Sequence, residues 1–337
     1  MIIVMKSRAT DEEIARVIRR VEAAGLSVHL SRGVERTIIG VKGASHEVRS
    51  DAFSMLPGVE DVVRILKPYK LASREFHPEN TVVEAGGVAI GGISLVVEAG
   101  PCSVESEAVF REIATLAKEA GARILRGGAF KPRTSPYSFQ GLGEEGLRIL
   151  RSVGDELGLP IQTEAMNVRT VELVVRYADI IQVGARNMQN YDLLKEVGQS
   201  GKPVVLKRGM AATVQDLLLS AEYILHEGND RVILCERGIR TFETATRNTL
   251  DISAVPVIKA LSHLPVFVDP SHASGHAAYV APLALAAVAA GCDGLMVEMH
   301  THPEEAKSDG EQSLVPEDFA RLVQQVRTVA QAVGRIV

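Results

Sequence analysis

Tryptophan is absent from the 337 residues, aromatic side chains make up only 4%, and there are three cysteines, Cys102, Cys235 and Cys292. Three thiols in so long a chain exclude a disulfide framework, and the odd number fits a reducing compartment. There is no excess of positive charge either: 37 Lys and Arg face 42 Asp and Glu, a formal net charge of -5. That balance disfavours nucleic-acid binding through a general phosphate-neutralising surface, though it leaves room for a local basic cluster. Long apolar runs are also missing. The opening MIIVM meets charge too soon for a signal-peptide core, and Ala277 to Cys292 is interrupted by Pro282 and Gly291. The second stretch reads as a buried amphipathic helix rather than a span of ~20 residues. The expectation is a cytoplasmic protein with no membrane role. Apolar residues at 46% and charged residues at 23% supply ample core, so long disorder is excluded.

At roughly 150 residues per domain the length allows two domains, one of which could be a barrel of ~250 residues. Residues 1–66 alternate in the order βαββαβ. Ile2 to Met5 is a strand; Thr10 with Glu13 forms a capping box, and Ile14, Val17, Ile18 and Val21 share one helical face. Strands follow at Leu26 to Leu30 and Thr37 to Val41, a second helix at Glu47 to Leu56, and a last strand at Val59 to Leu66. This is the split unit of a ferredoxin-like domain. Residues 67–93 read as a basic linker (KPYKLASREFH) and a β-hairpin around Gly86-Gly87.

From residue 94 to 337, strand and helix patterns alternate. The strands fall at Leu95–Ala99, Ala122–Arg126, Ile161–Glu164, Ile180–Val183, Val204–Lys207, Val232–Cys235, Val266–Asp269 and Gly294–Glu298. Eight such units in about 245 residues fit a closed (β/α)8 TIM barrel. A doubly wound open sheet competes, but Gly100-Pro101-Cys102 is not the G-x-G-x-x-G fingerprint expected after its first strand.

Barrel enzymes build their sites at the C-terminal ends of the strands. Taken in order, those ends offer Cys102, Arg126, Glu164, Arg186, Lys207, Arg237, His272 and Glu298. Cys102, His272, Glu298 and Asp309 form a mixed ligand set for a divalent Mn²⁺, Fe²⁺, Co²⁺ or Zn²⁺ ion. Arg126, Lys131, Arg133, Arg186, Lys207 and Arg237 form a cationic set that implies substrates with several negative charges, most plausibly phosphates. Each residue also has a plainer reading. Cys102 is by default a small buried apolar group, and His272 a surface or core histidine. Glu298, inside the apolar run GLMV-E-M, needs a buried partner. Lys207 could instead be the Schiff-base lysine of a class I aldolase. His300 and His302 suggest a second metal pair, but no matching acid sits at ligand spacing. Cys235 and Cys292 read as core.

Longer segments narrow this down. GPCSVES (100–106), LRGGAFKPRTSPYSFQGLG (125–143), QVGARNMQN (182–190), VLKRG (205–209), LCERGIRTFE (234–243), RNTLDISAVP (247–256), VDPSH (268–272) and KSDGEQSL (307–314) together resemble the 3-deoxy-D-arabino-heptulosonate 7-phosphate (DAHP) synthase family. Their order and spacing resemble its type I beta branch, with a fused N-terminal ferredoxin-like domain, over nearly the whole chain. The resemblance implies condensation of phosphoenolpyruvate with erythrose 4-phosphate, the opening step of the shikimate pathway. It implies metal ligation by Cys102, His272, Glu298 and Asp309, and phosphoenolpyruvate binding by Arg126, Lys131, Arg186, Lys207 and Arg237 beside the Ala185 backbone. Lys131, Arg133, Thr134 and Ser135 would hold the sugar phosphate, and Lys131, Glu164, Cys102 and His272 would be the catalytic group. The related 3-deoxy-D-manno-octulosonate 8-phosphate synthases use arabinose 5-phosphate and carry an Asn in the loop that here reads KPRTS. MHTHPEEAKSDG departs from the family form at His302 and Lys307, with the distance to Asp309 unchanged. The resemblance further implies a homotetramer and feedback inhibition by tyrosine or phenylalanine through residues 1–66. A domain that only stabilises an oligomer, or a barrel kept as a small-molecule sensor, are the competing readings.

Overall fold

The computed structural model describes residues 1–33, 36–42, 51–63, 68–131, 135 and 137–337. The chain divides into two units, Met1–Glu79 and Asn80–Val337.

The first unit contains β1 (Ile2–Met5), α1 (Asp11–Glu22), β2 (Ser27–Arg32), β3 (Thr37–Lys42), α2 (Asp51–Ser54) and β4 (Val59–Val63). Its strands pair antiparallel in the order β2-β3-β1-β4, the ferredoxin-like arrangement. Helix α1 starts where Thr10 and Glu13 satisfy each other's backbone amides, as the capping box requires. Its apolar stripe of Ile14, Val17 and Val21 then packs on Ile3, Met5, Ile39 and Val41. The expected second helix and last strand extend into 43–50 and 64–67, which lie outside the described residues. Residues 68–79 fall with this unit. Gly40 has no side chain because the Phe76 ring occupies that space: a Cβ there would stand 1.8 Å from its Cε2.

The second unit opens with the hairpin β5 (Val83–Ala85) and β6 (Val88–Ile90). Eight strands follow: β7 (Val96–Gly100), β8 (Ile124–Arg126), β9 (Ile161–Glu164), β10 (Ile180–Val183), β11 (Val204–Lys207), β12 (Val232–Glu236), β13 (Val266–Val268) and β14 (Gly294–Glu298). All pair in parallel, and β14 with β7 closes the barrel. The helices between them are α3 (Glu107–Ala120), α4 (Glu144–Leu157), α5 (Val168–Tyr177), α6 (Tyr191–Gln199), α7 (Val214–His226), α8 (Ala254–Leu261), α9 (Pro270–Ser274) and α10 (Ala277–Ala289), and α11 (Pro316–Ala332) follows β14. Among the described residues no helix is long and apolar enough to cross a membrane.

A period of two places alternate strand residues inside the barrel. Val96, Ile124, Ile180, Val205, Ile233, Phe267 and Met296 meet there in one apolar cluster, and Val83, Ala85, Val88 and Ile90 of the hairpin join it at the N-terminal end. The hairpin thus plugs the bottom of the barrel and leaves the opposite end open to chemistry. Strand β13 stops one residue earlier than its apolar pattern predicts. Asp269 turns instead to cap α9, accepting the His272 amide at 2.9 Å.

Truncating Ile90 to Ala should empty part of this plug and lower stability by about 2–5 kcal/mol. The midpoint of urea unfolding reads the loss, and an unchanged midpoint would mean that the hairpin does not support the barrel.

Candidate active site

The first strand ends in Gly100-Pro101-Cys102. Gly100 adopts φ 152°, and a Cβ there would lie 2.0 Å from the Arg126 carbonyl oxygen, so only glycine lets β7 and β8 converge at this point. Beyond it the buried Cys102 thiol donates to Asp309 Oδ2 at 3.0 Å and accepts from Lys131 Nζ at 2.9 Å. Burial, then the charge of Glu298, pushes this thiol up to about 12, so a thiolate here calls for a cation beside it.

His272 is placed by the cap just described. Its Nδ1 lies 2.7 Å from Asp269 Oδ2, which leaves Nε2 facing Glu298 Oε1 at 3.4 Å. Burial holds the imidazole below its ordinary value against the pull of Asp269 and Glu298. Asp269 is itself fully buried, and although burial works the other way, His272 and Lys207 keep it well below the usual carboxylate range. Glu298 ends β14, paired with Arg126 Nη1 at 2.7 Å and accepting from Gln312 Nε2 at 2.6 Å. Asp309 adopts φ 50°, alone among the described non-glycine residues in having positive φ. Arg247 Nη1 anchors it at 3.2 Å, and its carboxyl is lowered to about 2, against burial, by the Cys102 thiol and then by His272 and Arg247. One ligand atom each from Cys102, His272, Glu298 and Asp309 lies within 4.8 Å of the others. A sulfur, an imidazole nitrogen whose far side is held by a carboxylate, and two carboxylate oxygens make a donor set that fits a divalent transition ion.

The cations surround this cluster. A cavity of about 160 Å³ is lined by Arg126, Lys131, Ala185, Arg186, Lys207, Arg237, Glu164 and His272, among others. Lys207 Nζ meets Asp269 Oδ2 at 2.5 Å, so both Arg126 and Lys207 already hold a carboxylate. Arg237 differs: it is buried, its Nη1 has no hydrogen-bond partner among the described residues, and burial lowers its affinity for its proton. A buried guanidinium with an open donor suits an anionic ligand. Glu164, at the end of β9, accepts from Gln182 Nε2 at 3.2 Å, and Gly184 makes room for it, since a Cβ there would stand 2.1 Å from Glu164 Oε1.

Arg133 and Thr134 lie outside the described residues. Ser135 is described, accepts the Tyr137 amide at 3.3 Å, and does not line the cavity. Cys235 and Cys292 are buried free thiols, as expected of core residues. Nor does the His300–His302 pair form a cluster: among the described residues only one group of thiol, imidazole and acidic ligands converges. Sequence reasoning passed over two contributors. Arg247 lines the cavity and grips Asp309 from a loop without periodicity, while Asp269 lay in the quoted VDPSH, where its Asp-Pro start to a short helix was the available signal.

A closed (β/α)8 barrel with its converging side chains at the C-terminal mouth, joined to a ferredoxin-like unit, defines a barrel enzyme with an appended small domain. The DAHP synthetase I family matches residues 74–333, and the DAHP synthase ferredoxin-like domain matches residues 1–67. The chain belongs to the DAHP synthetase I family. It is 54% identical over 334 residues to a phospho-2-dehydro-3-deoxyheptonate aldolase from Thermotoga maritima, covering 99% of both chains. A 2-dehydro-3-deoxyphosphooctonate aldolase from Syntrophobacter fumaroxidans is 34% identical, with 74% of this chain and 92% of that one covered. The crystal structure of the Thermotoga maritima DAHP synthase superposes with a TM-score of 0.80 at 54% identity, covering 100% of this chain and 98% of that one.

Replacing Asp269 with Asn should release both Lys207 and the His272 ring. Divalent-ion affinity is expected to fall about 10–100-fold in an ion titration of the folded protein; unchanged affinity would show that the cap does not orient His272.

Proposed function

We propose that the chain condenses phosphoenolpyruvate with erythrose 4-phosphate and water to give DAHP and phosphate. The observation that carries this reading is the meeting, in one barrel mouth, of the Cys102, His272, Glu298 and Asp309 cluster with a cavity walled by Arg126, Lys131, Arg186, Lys207 and Arg237. These five cations would hold the phosphate and carboxylate of phosphoenolpyruvate beside the Ala185 backbone, with the open Arg237 donor as one anchor. Lys131, Arg133, Thr134 and Ser135 would receive the sugar phosphate. When bound at Cys102, His272, Glu298 and Asp309, a divalent ion such as Mn²⁺, Fe²⁺, Co²⁺ or Zn²⁺ supplies the electrophilic pull on the aldehyde oxygen.

Phosphoenolpyruvate is a masked enol with a nucleophilic C3. Its attack on the aldehyde carbon forms the C–C bond and leaves positive character at C2. Water adds there, and the hemiketal phosphate then expels phosphate by C–O cleavage. Guanidinium groups placed in advance around two anions offset their mutual repulsion and fix the approach of C3. Lys131, whose Nζ touches the Cys102 carbonyl oxygen and sulfur at 2.9 Å, and Glu164 would be the candidates for moving protons.

Phosphate release should be at least about 100-fold faster with erythrose 4-phosphate than with arabinose 5-phosphate, a discrimination of ~3 kcal/mol. The reverse preference would move the chain to the octulosonate branch. Chelation should abolish turnover, Mn²⁺ should restore it, and Cys102→Ser should stay folded while losing the ion. A covalent adduct trapped at Lys207 by borohydride with substrate would favour the Schiff-base reading instead.

We also propose that the first unit confers feedback inhibition by tyrosine or phenylalanine on a homotetramer in the cytoplasm. Supporting this, the unit has its own core, and none of its described residues joins the converging cluster. The effector must bind more tightly to the inhibited arrangement than to the active one. A chain lacking residues 1–79 should still make DAHP and ignore both amino acids. If the intact protein is indifferent to both at millimolar levels, the unit serves assembly instead, which sedimentation of the two forms would show.

A further inference from the structure

Two residues beyond most strand members of the interior apolar cluster, the inward face turns polar. Ile124 leads to Arg126, Ile180 to Gln182, Val205 to Lys207, Phe267 to Asp269 and Met296 to Glu298, whereas on β12 Ile233 leads to Cys235, which stays within the cluster. On β7, Val96 leads to Glu98. By strand alternation these side chains share the inward face, one layer nearer the mouth. Most are accounted for: Arg126 pairs with Glu298, Lys207 with Asp269, and Gln182 with Glu164 and Gln162. Glu98 has no such partner. It is fully buried, and neither carboxyl oxygen has a hydrogen-bond partner among the described residues.

Four ionisable groups act on Glu98 from around the barrel interior, and none of them hydrogen-bonds to it, although Arg126 keeps its Nε without a partner among the described residues. Arg126 on β8 and Lys207 on β11 are committed to other carboxylates; Asp269 beyond β13 and Cys235 on β12 bring no positive charge, and Met296 opposite on β14 is apolar. An ionised carboxylate in that position would be a buried charge without a partner, so the proton stays on. The side chains nearest in charge to Glu98, Arg126 and Lys207, are also those that line the substrate cavity.

We propose that Glu98 is an internal proton site linked to the anion held at Arg126 and Lys207: phosphoenolpyruvate binds with Glu98 protonated, and ionisation of Glu98 weakens that binding. The proposal rests on the function put forward above. By reciprocity, whatever factor the ionised carboxylate removes from anion affinity, the bound anion adds to Glu98's affinity for its proton. Electrostatics sets the pH range. Burial, opposed by Arg126 and Lys207 and reinforced by Asp269, holds this carboxyl up to about 8 in the ligand-free protein. Affinity is therefore full below that value and falls as pH rises through it.

The test is calorimetric binding of phosphoenolpyruvate to the ion-loaded full chain across pH 7 to 9.5, in buffers of different ionisation enthalpy. Wild type should take up a fraction of a proton on binding, most strongly between about pH 8 and 9, and lose about tenfold in affinity across the range, a coupling of ordinary size. Glu98→Gln, neutral at every pH, should match wild type at pH 7, bind without proton uptake and keep its affinity at pH 9.5. The phosphate of the ligand, with a second pKa of about 6, takes up no proton in this range. Should Glu98→Gln not fold, wild-type uptake still decides, because its absence overturns the proposal. The same pH course in both proteins overturns it too. A chain that binds no phosphoenolpyruvate at any pH fails the proposed function itself, and this inference with it.

Discussion

Most of the charge inside this barrel is held in pairs. Arg126 with Glu298, Lys207 with Asp269, and Arg208 with Glu236 are three buried ion pairs at 2.5–2.8 Å around one mouth. Removing one partner from such a pair costs about 3–5 kcal/mol because the other charge is left without compensation. The three pairs therefore act as a frame. Arg208 Nη1 also holds Asp251, and Glu236 Oε1 accepts the Gly238 amide, so the loop after β12 that carries Arg237 and Arg247 is fixed to the barrel wall.

The frame also explains why Arg237 has an open donor and no carboxylate to answer its charge, whereas Arg126, which leaves its Nε open, already holds Glu298. Arg126 and Lys207 have internal carboxylates close by, and their positive charge is largely answered before any ligand arrives. Arg237 has none within hydrogen-bond reach among the described residues, and its burial holds it in a state that an incoming anion relieves. A cavity built this way has its donors in place beforehand and needs little rearrangement to receive a phosphate.

Much of this is visible in the sequence because a period of two carries two messages at once. On several strands an apolar residue marks the interior and the next inward position carries the chemistry, as with Ile124 and Arg126 or Val205 and Lys207. The barrel and the identity of its mouth residues follow from that alternation. The ligand set needed more. Cys102, His272, Glu298 and Asp309 come from two strand ends, a short helix and a loop, with no short spacing to reveal them; their residue types at the barrel mouth suggest the set, and the long motifs support it. Other features leave no periodic trace. In residues 68–79 the Phe76 ring fills the space over Gly40 and lies beside His29, and Arg247 acts from an irregular loop through one ion pair. The end of β13 differs from the expectation for a related reason: Asp269 directly follows the apolar run Val266–Val268 but is withdrawn from the strand by its place as a helix cap.

Asp309 shows how the frame reaches beyond the strands. A left-handed backbone at a non-glycine residue costs about 1–3 kcal/mol and persists only where surrounding contacts over-determine it. Here the contacts are specific. Arg247 bridges Asp309 and Gln312, Gln312 in turn holds Glu298, and Ser308 is tied to Ser103 at 2.7 Å beside Cys102. Two of the four converging groups sit on the barrel itself and one on a capped helix, so their geometry is set by the fold. The fourth is brought to them by a loop anchored at Arg247, Ser103 and Gln312, and through the Gln312 contact with Glu298 that loop is tied to the buried Arg126–Glu298 pair.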